Sequence, residues 1–196
     1  MQSSNLPASI SPLHMFRAMA RNNAWANYRL LNACAKLGDA EFQAKRVSFF
    51  PSIMLTLNHN LVVDWFYVDA LEGGSLGPKA WQNESPCPTL TDLMAEQHKV
   101  DNRLIAFCDG LSETASAQET RMNRGDHVQS DRTDQVLLHL FQHQIHHRGQ
   151  AHAMLAGTSV NPPQLDEFFM ASDAPLRADD LAGLGWREAD IWGGGS

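Results

Sequence analysis

Residues 136 to 154 form the stretch that most limits how this chain can fold. Apolar and histidine side chains recur there at steps of three and four residues: Val136, Leu140, His143, His147, Ala151 and Met154. This spacing places them on one face of an α-helix. Two histidines one turn apart therefore occupy a face that should point into a helical core. A His-x-x-x-His pair on a helix can hold a single metal ion.

These two histidines have two interpretations. Buried without a hydrogen-bond partner, each would cost about 1–3 kcal/mol, so they are either core histidines with satisfied ring nitrogens or ligands of a metal. A metal site needs a third ligand. His59 is the candidate, because it lies in the middle of the apolar face of a second predicted helix, between Leu55 and Val62. Alone it would be interpreted as a core histidine; beside His143 and His147 it completes a three-histidine site.

Bulk composition narrows the class of protein. The 196 residues are 43% hydrophobic, which suits one compact domain, and the net charge of -7 comes with no basic cluster, which argues against nucleic acid as a partner. The three widely spaced cysteines are typical of reduced thiols. No apolar run reaches the ~18 residues of a membrane span, and the N-terminus lacks the layout of a signal peptide. We therefore expect a cytoplasmic protein that does not associate with membranes.

Start and stop signals divide the chain into four long helices. Ser11 before Pro12 resembles a helix N-cap, Thr89 begins the third helix, and Asp131 or Thr133 caps the fourth. A long loop covers 72–88, and the polar run 119–131 is a turn or a short hairpin around Gly125 and Asp126. The four predicted helices cover these ranges: about 12–37, 52–71, 89–110 and 133–155.

This layout predicts an all-α fold, a four-helix bundle in a single domain over 1–196. The bundle core covers about 12–157, and a C-terminal extension covers 158–192. Within the extension, 177–190 is predicted to form one short helix with Asp179 as its cap. The final Gly-Gly-Gly-Ser, 193–196, is interpreted as a possible linker.

Three strings, in this order and spacing, resemble the DinB/YfiT-like family of metal-dependent enzymes. They are N-A-W-A-N-x-R-L at 23–30, T-L-N-H at 56–59 and H-Q-x-H-H-R-G-Q at 143–150, the last being the most specific. The resemblance covers about 12–157. It implies an up-down-down-up bundle, a homodimer, and a divalent metal, zinc or nickel, held by His59, His143 and His147. Relatives in the wider superfamily include thiol S-transferases, a thiol-dependent isomerase and a domain of sulfoxide synthases.

A three-histidine site leaves coordination positions open, which is typical of a catalytic metal. A thiol or water bound there would lose its proton near neutral pH. We therefore expect thiol S-transferase or hydrolase chemistry on a small molecule, with a low-molecular-weight thiol as a possible co-substrate. No cysteine lies in the histidine stripe, so no catalytic nucleophile of the protein is predicted. The alternative is a non-catalytic metal or small-ligand binding homodimer linked to stress response; a plain helical dimer is a third reading.

Further polar residues are candidates for the surroundings of the site. Asn23 and Asn27 occupy the middle of the first helix's stripe and either line the pocket as hydrogen-bond donors or lie at its edge. Asp64 either orients a histidine or is a solvated or capping carboxylate. His146 points to another face, toward Asp64 or a dimer contact. Gln150, like its neighbour Arg148, either holds an anionic group or joins helices.

A second apolar face on the fourth helix supports the homodimer. Leu137, Phe141 and Ile145 recur at four-residue steps away from the core stripe. Such a face would be exposed on a single chain and available for contact with a second copy.

Overall fold

Helices dominate the computed structural model, which describes residues 12–192. The all-α prediction is therefore confirmed, apart from one small hairpin. Within 12–192, no helix is both long and apolar enough to span a lipid bilayer. The four long helices are α1 (Pro12–Cys34), α3 (Ile53–Leu71), α4 (Leu90–Gly110) and α6 (Thr133–Leu155), and the short ones are α2 (Asp39–Gln43), α5 (Glu113–Ser116), α7 (Ala174–Leu184) and α8 (Glu188–Trp192). Two 3₁₀ turns lie at Gly77–Trp81 and Ala171–Asp173.

The long helices bury one shared hydrophobic core. Helix α1 packs on α4 and α6, and α3 packs on α4 and α6, so each long helix has two long neighbours. Leucine, isoleucine and phenylalanine side chains fill the space between them, among them Leu30, Ile53, Leu61, Phe66, Leu104 and Leu140. Burial of these apolar side chains, rather than isolated helix propensity, holds the helices in register.

Two of the predicted helix starts are confirmed by their caps. The Ser52 hydroxyl accepts a hydrogen bond from the Leu55 amide, and the Thr89 hydroxyl accepts one from the Asp92 amide. The predicted cap of the fourth helix is wrong. Thr133 is already helical, and its hydroxyl bonds to the Gln118 carbonyl instead of capping the helix. Ser11 lies outside the described residues.

A β-hairpin precedes α6. Strands β1 (Glu119–Asn123) and β2 (Val128–Arg132) pair antiparallel, with Glu119 opposite Arg132. Gly125 in the connecting turn has a φ of 101°, a backbone conformation that favours glycine. Because Asp131 belongs to β2, it cannot cap the helix. The predicted hairpin is thus confirmed, and it lies against α3 and α6.

The C-terminal extension forms two helices rather than the predicted single one. Gly185, with a φ of 73°, ends α7, and α8 follows. Asp179 lies inside α7 and therefore does not cap it. The extension buries its own small core against Trp25 of α1, with Phe168 and Leu181 at its centre. Residues 193–196, the possible linker, lie outside the described part of the chain.

The second apolar face predicted for α6 is mostly buried. Leu137 and Phe141 are only 0% and 3% exposed, whereas Ile145 is 46% exposed. Helix α6 contacts α3, α1 and the hairpin, so a wide arc of its surface lies inside the molecule. Leu137 and Phe141 are therefore core residues, and the prediction of an exposed stripe was wrong for both.

Candidate metal centre

Three histidines from two helices meet at the interface of α3 and α6. One ring nitrogen from each of His59, His143 and His147 lies within 4.8 Å of the others. The Nε2 atoms of His59 and His143 are 3.1 Å apart. The ring centroid of His147 lies 4.4 Å from that of His143 and 4.6 Å from that of His59. The helical spacing predicted this convergence of the two α6 histidines with the α3 histidine.

The spacing of the ring nitrogens suits a transition metal. Metal–nitrogen bonds of about 2.0–2.1 Å in tetrahedral geometry separate two ligand atoms by about 3.3 Å, close to the His59–His143 separation of 3.1 Å. The Nδ1 atom of His143 is buried and has no hydrogen-bond partner among residues 12–192. A metal bound to Nε2 would leave this Nδ1 without a partner too, so the support for a metal comes from the two Nε2 atoms that face each other.

Burial keeps these rings in the form that binds metal. Burial, with neighbouring histidines adding to it, lowers the pKa of His143 to about 3 and that of His59 to about 4. Burial also lowers the pKa of His147, although its bond to Gln150 opposes the shift. All three imidazoles are therefore neutral at physiological pH and can donate a lone pair without first losing a proton.

Gln150 fixes the orientation of the third ring. Its side-chain oxygen lies 2.9 Å from His147 Nδ1, so the ring donates its N–H there and keeps Nε2 as a lone pair. The Gln150 amide nitrogen lies 3.1 Å from His146 Nε2. His146 is exposed, so the prediction that it points toward Asp64 was wrong. The structure thus places Gln150 directly behind a candidate ligand.

Asp64 lies in a buried hydrogen-bond network instead of at the site. It is 1% exposed and accepts hydrogen bonds from the side-chain amides of Gln97 and Gln144. Among residues 12–192 it has no hydrogen bond or ion pair with a histidine, and it lies inside α3, so neither the histidine-orienting role nor the solvated or capping position predicted for it is present. Burial and the neighbouring Asp101 carboxylate raise its pKa well above the ordinary range. Gln144, between the two α6 ligands in sequence, connects this network to the helix that carries them.

The two asparagines of α1 belong to the same network. Asn23 and Asn27 each donate to the Asp101 carboxylate, at 3.2 and 3.0 Å. Each also accepts from the Arg148 guanidinium. They face inward, but their amides are committed to the helix interface, not to a pocket as predicted. Burial lowers the pKa of Arg148 to about 10 and raises that of Asp101 to about 6.

Sequence reasoning missed Gln97, Asp101 and Gln144. A signal was available, because Gln97 and Asp101 lie four residues apart on the face of α4 that also carries Leu93 and Leu104. Polar residues on a buried face need partners, and the two inward asparagines of α1 were the complementary half of the pattern.

Comparison with known proteins agrees with this geometry. The family model of the DinB family matches residues 1–180. The chain belongs to the DinB family. A comparison with curated proteins finds no match. The family match takes in the whole histidine site and continues into the C-terminal extension of this DinB-family protein, where it ends within α7.

The candidate metal centre of this DinB protein opens beside an apolar pocket. The pocket has a volume of about 540 Å³, and His59 lies in its wall together with Phe50 and Trp81. The Phe50 ring stacks on the His59 ring at a centroid distance of 4.2 Å. Apolar walls next to a three-histidine site suit the carbon skeleton of a small molecule.

Proposed function

We propose that this DinB-family protein is a divalent-metal-dependent enzyme acting on a small molecule by thiol S-transfer or hydrolysis. The observation that carries the proposal is the approach of three neutral imidazoles, from His59, His143 and His147, within 4.8 Å of one another. Three protein ligands leave one to three coordination positions for a thiol, water or substrate, which distinguishes a catalytic site from a closed structural one. Zinc and nickel are the proposed metals, because both suit imidazole ligands.

The residues around the metal centre would have separate roles. His59, His143 and His147 would hold the metal, and Gln150 would keep His147 in the correct tautomer. The metal, when bound, supplies the Lewis acidity that lowers the pKa of a coordinated thiol or water. The apolar wall around Phe50 would exclude bulk water and bind the non-reacting part of the substrate.

A thiol from solution is the proposed sulfur nucleophile, because the protein's own thiols are unsuitable. Cys34, Cys87 and Cys108 are all buried and unpaired. Burial raises the pKa of Cys34 and of Cys108 to about 12, so neither ionises near neutral pH. The unpaired thiols also support the proposed cytoplasmic setting.

The proposal includes the architecture that DinB resemblance implies. The four long helices would run up-down-down-up as a bundle, and two chains would associate as a homodimer. Contacts of α1 with α4 and of α3 with α6 support the bundle. Exposed Leu138 and Ile145 on α6 are the apolar residues that this helix offers to a second copy.

Turnover by the untagged protein tests the proposal. Cysteine, glutathione and bacillithiol are offered with 1-chloro-2,4-dinitrobenzene, and ester and amide substrates are screened in parallel. We expect turnover that disappears on chelation and in His59→Ala. It should persist in His98→Ala, which removes an exposed histidine of α4. Turnover that survives chelation refutes metal dependence. A metal-loaded protein inactive in every assay would favour the non-catalytic binding homodimer.

A further inference from the structure

A second pocket lies one helical turn from the histidine site, and we propose that it is a subsite for a carboxylate. Arg124 would bind this group, which the substrate would carry in addition to the part that reacts. The inference rests on the proposed function, because it specifies what kind of small molecule the metal centre acts on. Its physical basis is a guanidinium that is rigidly held, lacks an anionic partner and faces a cavity.

Hydrogen bonds and aromatic rings fix the Arg124 side chain. Its Nε donates to the Gln129 side-chain oxygen at 2.9 Å, and one Nη donates to the Tyr67 hydroxyl at 3.1 Å. The guanidinium carbon lies 4.6 Å from the centre of the Phe66 ring and 5.6 Å from that of Tyr67. A guanidinium held in this way has already lost most of its rotamer freedom, so a ligand need not order the side chain on binding.

The positive charge of Arg124 is uncompensated by any direct ion pair. Within residues 12–192, no carboxylate lies within 4.0 Å of its nitrogens, although most arginines of this part of the chain have such a partner. Its second Nη makes no hydrogen bond to those residues either. The chain has more acidic than basic residues, 22 Asp and Glu against 15 Lys and Arg, so carboxylates that could pair with this guanidinium are in excess. Planar carboxylates are the ligands that such free donors match best.

The cavity is lined both by Arg124 and by His139, a histidine of α6. It has a volume of about 540 Å³, and Tyr67, Gln135 and His139 share its lining with Arg124. His139 precedes His143 by one helical turn, about 5.4 Å along the axis, and their ring centroids are 6.4 Å apart. The His139 ring also lies 5.3 Å from the Tyr67 ring. A small molecule held by Arg124 could therefore extend along His139 to the metal centre.

One acidic residue in the lining is already engaged. Asp131 accepts a hydrogen bond from the Gln129 amide at 2.5 Å, and Gln129 in turn accepts from Arg124. This chain aligns the guanidinium without neutralising it by direct contact. His139 and Gln135 add polar side chains that can donate to the same ligand.

Calorimetric titration with benzoate, at fixed ionic strength, tests the subsite. Benzoate carries the planar carboxylate, and benzamide is its neutral counterpart of the same shape. We expect saturable benzoate binding that weakens about tenfold or more in Arg124→Gln. Arg121→Gln, which removes the same charge from an exposed position of the same hairpin, should bind benzoate like the wild type. Should Arg124→Gln not fold, Arg124→Lys makes the same comparison, since it keeps the charge and loses the fork.

Three results would overturn the inference: no saturable benzoate binding to the wild type, equal loss in both hairpin variants, or equal affinity for benzamide. Because carboxylates also bind metals directly, the titration is repeated after chelation. Benzoate binding that disappears with the metal, and is indifferent to Arg124, places the carboxylate on the metal and refutes the subsite. Failure of the proposed function appears separately, as absent metal or turnover, while the difference between Arg124 and Arg121 variants would remain.

Discussion

Removing the Arg148 guanidinium should destabilise the fold far more than removing a surface arginine. This side chain is the cation in a buried network that contains two carboxylates, those of Asp64 and Asp101. It donates to the amide oxygens of Asn23 and Asn27, which in turn donate to Asp101. Arg148→Met keeps most of the apolar stem and deletes the charge together with both hydrogen bonds.

The expected magnitude follows from those contacts. Two hydrogen bonds from a charged donor contribute about 1.5–3 kcal/mol each. Methionine avoids the cost of burying a guanidinium, which offsets part of that loss. Leaving buried carboxylates without their cation costs about 3–5 kcal/mol in comparable cases. We therefore expect the free energy of unfolding to fall by about 3–5 kcal/mol at pH 8, and the melting temperature by about 6–20 °C.

The loss should also depend on pH. Burial raises the pKa of Asp101 in the folded state to about 6, so its ionised form costs stability above that pH. As pH falls from about 6 toward the ordinary aspartate pKa of about 4, the folded protein is protonated while the unfolded chain is still ionised, so the cost shrinks across this range. Without Arg148 the ionised carboxylate is more costly still. The deficit of Arg148→Met should therefore be largest at pH 8 and smaller at pH 5.

Urea unfolding followed by circular dichroism, in the presence of chelator, measures both effects. The matched control is Arg21→Met, which breaks a partly exposed ion pair with Asp109 and should cost about 1 kcal/mol or less. A deficit for Arg148→Met no larger than that of the control, or one that does not change between pH 8 and pH 5, would refute this account of the network.

Two further predictions concern the ligand orientation and the extension. Gln150→Leu removes the partner of His147 Nδ1 and should lower the metal affinity about 10–100-fold in a chelator competition. Gln142→Leu, which changes an exposed residue of the same helix, should leave the metal affinity unchanged. Arg29→Met breaks the ion pairs between α1 and the extension, so protease cleavage within 158–192 should become faster. An unchanged rate of cleavage would show that Arg29 does not hold this segment against the bundle.

Local signals were sufficient to predict the long helices and the histidine triad. The predicted starts of the second and third helices, at about 52 and 89, lie within one residue of the observed starts of α3 and α4. Helical spacing alone puts His143 and His147 on one face and His59 in mid-stripe of its own helix. These features depend on the period of one helix at a time, so sequence can reveal them.

Features that depend on how the helices meet were not predictable in the same way. The spacing predicts exposed positions for Leu137 and Phe141 only if α6 buries a narrow face, whereas α6 has neighbours on several sides. One partner of Asp64 lies on α4, and nothing in the sequence of either helix alone indicates that Gln97 comes opposite Asp64. Polar positions on a buried face can be recognised from sequence, but their pairing requires the packed structure.

The metal content of the purified, untagged protein, measured by inductively coupled plasma mass spectrometry, tests the central claim most directly. We predict about one divalent ion per chain for the wild type and for His98→Ala, which alters an exposed histidine outside the site. His59→Ala should lose that ion, since it removes the only candidate ligand on α3. A wild type without metal, or a His59→Ala protein with the same metal content as the wild type, would contradict the three-histidine site.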